Sequence, residues 1–505
     1  MATAVQEKRD DLESMASTKY IEELPLGGAE LTEDATEQER ESKLRWKMDW
    51  HIVPLTSIIF LFSFIDRANI GNARIAGLER TLNMHGYQFN ISLSVFYVSY
   101  ILFEIPSNML CKWVGPGRFI PVATFCFGVL TMCTGLVPNF SALCGVRFLL
   151  GIFEAGILPG LVYYLSRWYR QSEMTFRISL FIVSGSLAGA FGGLLASAIL
   201  RIPGIGMLHS WRMIFVIEGN YLQGIATCVL GIGSWFVMAN GPQTARWLSE
   251  EEKELALRRL QSERGHAQEL VDKFNWTKTR RGILNPVVLA TGCIFLLNSI
   301  IVQGASFFLP TLVATIFPDR AMTTKQLLTV PPYILGAICC VVTSYASWRM
   351  NKRGIFLILC AVIPTIGYAL FIATPSPNVR YGAIFLPFFG IYTYGALTNS
   401  HAAANVASDT ARSSAIATNV MLGNMGGLAA TWAYVPSDGP LYNIGTGLNL
   451  AAMSSVIITA TLLYFWILRD NKRREHLDPA AELSHLDASE IQNLDWKHPE
   501  FRWRN

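Results

Sequence analysis

Residues 286–316 read PVVLATGCIFLLNSIIVQGASFFLPTLVATI, thirty-one positions without a single acid or base. As a helix this run rises about 45 Å at 1.5 Å per residue, more than the roughly 30 Å of hydrocarbon in a bilayer. In lipid every backbone N–H and C=O must be bonded within the protein, which leaves helices or closed barrels. The run is too long and too evenly apolar for the alternating strands of a barrel. A transmembrane helix follows.

Similar runs recur between residues 51 and 468, near 52–73, 90–111, 119–137, 140–165, 178–199 and 213–238, then 286–316, 326–347, 354–374, 381–402, 413–434 and 447–468. The pattern predicts an all-α membrane protein with twelve transmembrane helices in two six-helix bundles. Composition agrees: 51% of residues are hydrophobic and 15% charged, against about a quarter charged in soluble domains. Five regions are expected: a disordered cytoplasmic tail (1–48), the first bundle (49–239), a cytoplasmic linker with an amphipathic helix (240–285), the second bundle (286–468) and a cytoplasmic tail (469–505). Residues 1–43 hold twelve acidic and five basic side chains and almost no apolar run, so they do not read as a signal peptide. Ser249 followed by Glu252 has the spacing of a capping box that opens the linker helix. Basic residues concentrate in one set of short loops and flanks, among them Lys112, Arg118, Arg167, Arg170, Arg349, Lys352, Arg353, Lys472 and Arg473. That bias places both termini in the cytoplasm. Arg118 and Arg353 are 235 residues apart, as are Arg177 and Arg412, a faint internal repeat of the kind transporters carry.

The net charge of +4 and the absence of a basic surface stretch leave no sign of nucleic-acid binding. The nine cysteines lie in or at the ends of apolar runs and lack metal-ligand spacing. No Walker motif, H-E-x-x-H or G-x-S-x-G is present. The sequence therefore offers no cofactor site and no enzyme chemistry, and any energy source is an ion gradient or the cargo itself.

The informative residues are charges inside apolar spans: Asp66 and Arg67 in the first, Glu104 in the second, Arg147 and Glu154 in the fourth, and Glu218 in the sixth. Facing lipid at a helix centre, each would cost roughly 2.5–3.5 kcal/mol. They must face the interior, pair, or line a wet cavity. Arg147, Gly151 and Glu154 fall on one helical face, with the glycine leaving room for a ligand or a neighbouring helix. Asp66 and Arg67 point about 100° apart and can serve two neighbours. On a functional reading Arg67 and Arg147 attract an anionic substrate while Asp66 and Glu154 exchange protons, with Glu104 a further proton-coupling group. On a structural reading these are ion pairs that lock helices together. The second half offers neutral groups instead, of which Asn419 and Tyr394 are the substrate-binding candidates, alongside Asn298, Gln303, Tyr333, Tyr392, Asn399 and Asn424. Three glycosylation sequons, at Asn90, Asn139 and Asn275, are not expected to be modified.

The stretches FSFIDRANIGNA (62–73), RFLLGIFEAGILPG (147–160), SRWYRQSEMTFR (166–177) and WRMIFVIEGN (211–220) resemble the major facilitator superfamily. More narrowly they resemble its anion:cation symporter branch and the fungal allantoate permease family. The resemblance covers about residues 45–475. It implies alternating access between two bundles and proton-coupled uptake of small organic anions such as nicotinate, pantothenate or allantoate. It also implies proton coupling at Asp66 and Glu154, substrate carboxylate at Arg67 and a substrate contact at Asn419. Two departures stand out. The superfamily signature G-x-x-x-D-R-x-G is replaced by KWVGPGR (112–118), without the acid, and the fifth span carries Ser184 and Ser186 where some relatives place a glutamine. The expected partners are a small organic anion, protons and the lipid bilayer, with the chain a monomer in the plasma membrane. An exporter of a carboxylate-bearing metabolite and a non-transporting nutrient sensor remain the alternatives.

Overall fold

The computed structural model describes residues 26–75, 77–199, 222–264, 275–484, 487, 491 and 493–504. Among these residues nine helices are long and apolar enough to cross a membrane. They are the first span (Gln38–Arg74), second (Gln88–Val114), third (Pro116–Thr134), fourth (Phe140–Ser166), fifth (Ser172–Leu194), seventh (Pro286–Ile316), eighth (Met322–Met350), ninth (Arg353–Ala373) and twelfth (Asn443–Glu475). Three more complete the set of twelve. The sixth is the short helix Leu222–Val237, the tenth is the pair Pro377–Phe388 and Thr393–Ala404, and the eleventh is Asp409–Ala430. The eleventh escapes a hydropathy search because its buried face is rich in Ser, Thr and Asn. The start of the sixth span, with Arg212 and Glu218, lies outside the described residues.

The first helix runs Leu26–Ile75, so its start falls within the stretch expected to be the N-terminal tail. The Glu, Gln, Lys and Arg of that stretch are good helix formers, and no glycine or proline stop separates them from the first span. In the linker the capping box forms in both directions: Glu252 N donates to Ser249 Oγ at 3.2 Å and Ser249 N to Glu252 Oε2 at 2.9 Å. The sequon asparagines have structural work. Asn139 caps the fourth span and Asn275 the helix Trp276–Ile283, while Asn90 donates to Thr431 O.

The ninth and twelfth spans pack on each other, as do the third and sixth. Their outer faces present Val122, Phe125, Ile225, Val229, Leu359, Ile366, Ile458 and Leu462, all at least 40% exposed, a surface suited to lipid. The halves meet where the second span packs on the eleventh and the fifth on the eighth. Small residues set that closeness. A Cβ on Gly427 would lie 2.4 Å from the ring of Tyr97, and one on Gly71 would lie 2.8 Å from Phe307 O.

Two spans break at the level of the buried charges. The fourth is helical through Glu154 and resumes at Ile157. The tenth breaks between Phe388 and Thr393, and the freed carbonyl of Ile391 is taken by Asn298 Nδ2 at 2.9 Å. A broken helix at membrane depth is tolerated where neighbours re-bond its backbone.

Candidate functional site

The buried charges of the first and fourth spans meet in two crossed ion pairs. Arg147 Nη1 lies 3.2 Å from Asp66 Oδ2, and Arg67 lies 3.0 Å from Glu154 Oε1 through Nη2, with Nε also donating at 3.1 Å. All four residues are at most 4% exposed. Adjacent residues on one helix point in different directions, which lets Asp66 and Arg67 reach partners two turns apart on the other. Gly151 makes room for a helix rather than a ligand, since a Cβ there would lie 2.0 Å from Ser99 Oγ and 2.5 Å from Phe96 O. This brings the rings of Phe96 and Tyr100 to 5.4 and 5.1 Å from the Arg67 guanidinium, with Phe64 at 5.0 Å. Three rings around a desolvated cation fix its position and favour its charge.

Arg67 lines a cavity of about 50 Å³ between the halves. Phe60, Phe64, Phe295 and Tyr392 give it aromatic walls, and Asn298, Ser299, Gln303 and Asn424 give it polar ones. The carbonyl oxygens of Asn298 and Gln303 are buried without hydrogen-bond partners. Asn298 is oriented by its bond to Ile391 O, so its oxygen is the free end. Glu104 adjoins this wall, accepting from Asn424 Nδ2 at 3.0 Å, and among the described residues it makes no ion pair.

The other two candidates sit elsewhere. Tyr394 is fully buried and its hydroxyl donates to Leu357 O at 2.6 Å. Asn419 donates to Asn399 Oδ1 at 3.0 Å, tying the eleventh span to the tenth. Neither lines the cavity, whereas Tyr392 and Asn424 do. A register argument finds them late: Tyr392 lies in the break of the tenth span, where helical periodicity gives no facing.

The halves touch on both sides of the cavity. At the end that bears the linker, Lys112 Nζ lies 3.3 Å from Asp409 Oδ2, Tyr163 OH donates to the same oxygen at 3.0 Å, and Asn108 Nδ2 donates to Ser413 O at 2.6 Å. Arg353 Nε donates to Thr175 Oγ1 at 2.8 Å nearby. At the opposite end Asn90 and Ser94 of the second span bond Thr431, and Trp432 Nε1 donates to Ser94 Oγ at 2.9 Å. The loop KWVGPGR, which lacks the signature acid, is held otherwise: Gly117 N donates to Asn240 Oδ1 at 3.0 Å, and its Lys112 supplies the charge that crosses to Asp409. Sequence reading did not single out Asp409, because at a span's mouth it looks like an ordinary helix-start acid.

Residues 56–431 match the family model of the Major Facilitator Superfamily. An uncharacterized transporter of Schizosaccharomyces pombe is 34% identical over 93% of this chain and 91% of its own length. The MFS transporter prlL of a fungal species is 32% identical over 90% of each chain. A high-affinity nicotinic acid transporter of Saccharomyces cerevisiae is 27% identical over 92% of this chain and 85% of its own. Among solved structures, a bacterial homolog of the human lysosomal transporter Spinster, in an inward-facing and unoccupied conformation, superposes with a TM-score of 0.55. It is 14% identical, over 82% of this chain and 94% of that one, which bears on the fold alone. A buried charged pocket between two six-helix bundles and matches over most of the chain lead to one assignment: this multi-pass membrane protein belongs to the Major Facilitator Superfamily, as do the transporters it resembles.

Proposed function

We propose that the chain is a proton-coupled importer of a small organic anion, of the anion:cation symporter branch and its fungal allantoate permease family. It works by alternating access in the plasma membrane, with both termini cytoplasmic. The observation that carries this reading is Arg67, a buried cation that faces the cavity while its countercharge, Glu154, lies behind it at 3.0 Å. A carboxylate entering the cavity competes with Glu154 for that guanidinium. Protonation of Glu154 removes the competitor and leaves Arg67 free to form a bidentate contact with substrate. Asp66 is the second proton-exchanging acid, paired with Arg147 beside the cavity rather than in its lining. Proton and anion are thereby bound together, since either alone leaves a buried charge uncompensated.

The far wall describes the rest of the cargo. Phe295 and Tyr392 suit a flat ring, and the unpartnered oxygens of Asn298 and Gln303 suit a donor at the end away from the carboxylate. Tyr392 and Asn424 take the roles expected of Tyr394 and Asn419. The nicotinic acid transporter among the relatives supports an aromatic monocarboxylate. The cavity of about 50 Å³ is far below the roughly 300–1,000 Å³ of ordinary ligand pockets, so loading requires the halves to part at one end.

The test is uptake into proteoliposomes under an imposed inward proton gradient, with a panel of labelled carboxylates and with Asp66→Asn and Glu154→Gln beside the native protein. Accumulation of one anion that both variants lose is the expected result. No accumulation of any anion by folded protein would favour the exporter, and binding without movement the sensor.

A further inference from the structure

Residues 493–504 do not trail away from the bundle. They run back across its linker end and bond to three separate elements. At the end of the twelfth span, Trp503 is 3% exposed, its indole N–H donates to Asp470 Oδ2 at 2.6 Å, and its backbone exchanges two 2.9 Å bonds with the side chain of Asn471. On the linker, Trp496 Nε1 donates to Arg281 O at 3.0 Å. At the turn between the tenth and eleventh spans, Arg504 N donates to Asn405 Oδ1 at 2.8 Å, and Asn405 Nδ2 returns a 3.1 Å bond to Arg504 O.

The contact that matters most is made by Asp495. Its two carboxylate oxygens accept from the backbone N–H groups of Ala407 at 3.2 Å and Ser408 at 2.8 Å. Ser408 is itself the cap of the eleventh span, accepting from Ala411 N at 3.2 Å. The next residue, Asp409, carries the crossing to Lys112 and Tyr163 of the other half. One carboxylate thus fixes the turn on which the linker-end contact between the halves is mounted. A charged acceptor on two backbone donors is among the stronger hydrogen-bond arrangements, and Asp495 is only 6% exposed.

We propose that residues 493–504 form a strap that holds the linker-end gate shut, and that undocking the strap is a regulatory step which frees the gate to open. The strap joins the twelfth span, the linker and the mouth of the eleventh span, three elements that must shift relative to the first half when that end opens. Its docking therefore favours the closed arrangement, and by linkage an open gate disfavours docking. The inference rests on the transport reading only in that a gate implies alternating access.

The test uses the full chain with a reporter thiol, Ser413→Cys, at a position fully buried between the halves. Vesicles that expose the linker end are treated with a membrane-impermeant maleimide, and the parent carrying only the native cysteines sets the background. Asp495→Ala and Trp503→Ala are each added to the reporter. Each is expected to raise the labelling rate at least about fivefold, the low end of ordinary coupling between sites. Hydrogen exchange at residues 405–408 reads strap docking in the same samples and is expected to lose protection. Lost protection with unchanged labelling would make the strap a passive cover and overturn the proposal, and so would retained protection in both variants. Neither readout needs a substrate or a gradient, so this failure is separable from failure of the transport reading.

Discussion

Asn424 of the eleventh span, which lines the cavity, donates to Glu104 of the second at 3.0 Å, so an ionisable carboxyl backs one cavity wall across the two halves. The other carboxyl oxygen is buried without a partner. Protonated, Glu104 is a neutral group that this wall holds at little cost. Ionised, it is a buried charge facing an amide, which is unfavourable unless the wall opens to water. Glu104→Gln should keep the contact and abolish the titration. The variant is expected to exchange substrate across the membrane at equal pH but to lose gradient-driven accumulation. Counterflow and gradient-driven uptake in the same proteoliposomes check this, and equal loss of both would assign Glu104 to packing.

Arg67→Lys keeps the charge and removes the fork. Lysine cannot present Nε and Nη2 together to Glu154 or to a substrate carboxylate, and it stacks less well on Phe64, Phe96 and Tyr100. The KM for uptake should rise by about tenfold or more, equivalent to about 1.4 kcal/mol. Unchanged KM would mean that the guanidinium does not touch the cargo.

The Asp66–Arg147 pair is expected to be costly to break and cheaper to delete. Asp66→Ala alone strands a guanidinium that is 2% exposed, a loss of about 3–5 kcal/mol. Adding Arg147→Met removes the stranded charge and should recover a large part of the loss, as read by thermal unfolding in detergent. Strictly additive losses would show that the two residues do not stabilise one another.

Periodicity and charge carried the sequence reading a long way. Asp66, Arg67, Arg147 and Glu154 are costly in lipid, so the sequence alone required them to be buried or paired, and the structure pairs them. Burial does not specify partners, and the crossed pattern depends on how close Gly151 lets the second and fourth spans approach. Asn and Tyr carry no such penalty signal. Asn419, Asn424, Tyr392 and Tyr394 look equivalent in one dimension, and only the break at 389–392 turns Tyr392 into the cavity while Tyr394 bonds Leu357. The strap was illegible for a related reason. Residues 493–504 are polar and lack periodicity, and their order comes from Asp495, Trp496 and Trp503 finding partners more than twenty residues away in sequence.

Close packing between the seventh and eleventh spans gives the last prediction. A Cβ at Gly426 would lie 2.0 Å from Leu296 O and 2.8 Å from its carbonyl carbon, backbone atoms that no rotamer can move aside. Gly426→Ala must push the two spans apart, at a cost of about 1–3 kcal/mol for an overpacked site. Gly447, in the helix of the twelfth span, has nothing within 4 Å of an added Cβ. Gly447→Ala should be neutral or stabilising by up to about 1 kcal/mol through helix propensity. Both are glycine-to-alanine changes in membrane helices, so propensity alone predicts the same sign for each, and opposite shifts in unfolding temperature can come only from packing. Matching shifts would mean that the seventh and eleventh spans are not held at this distance.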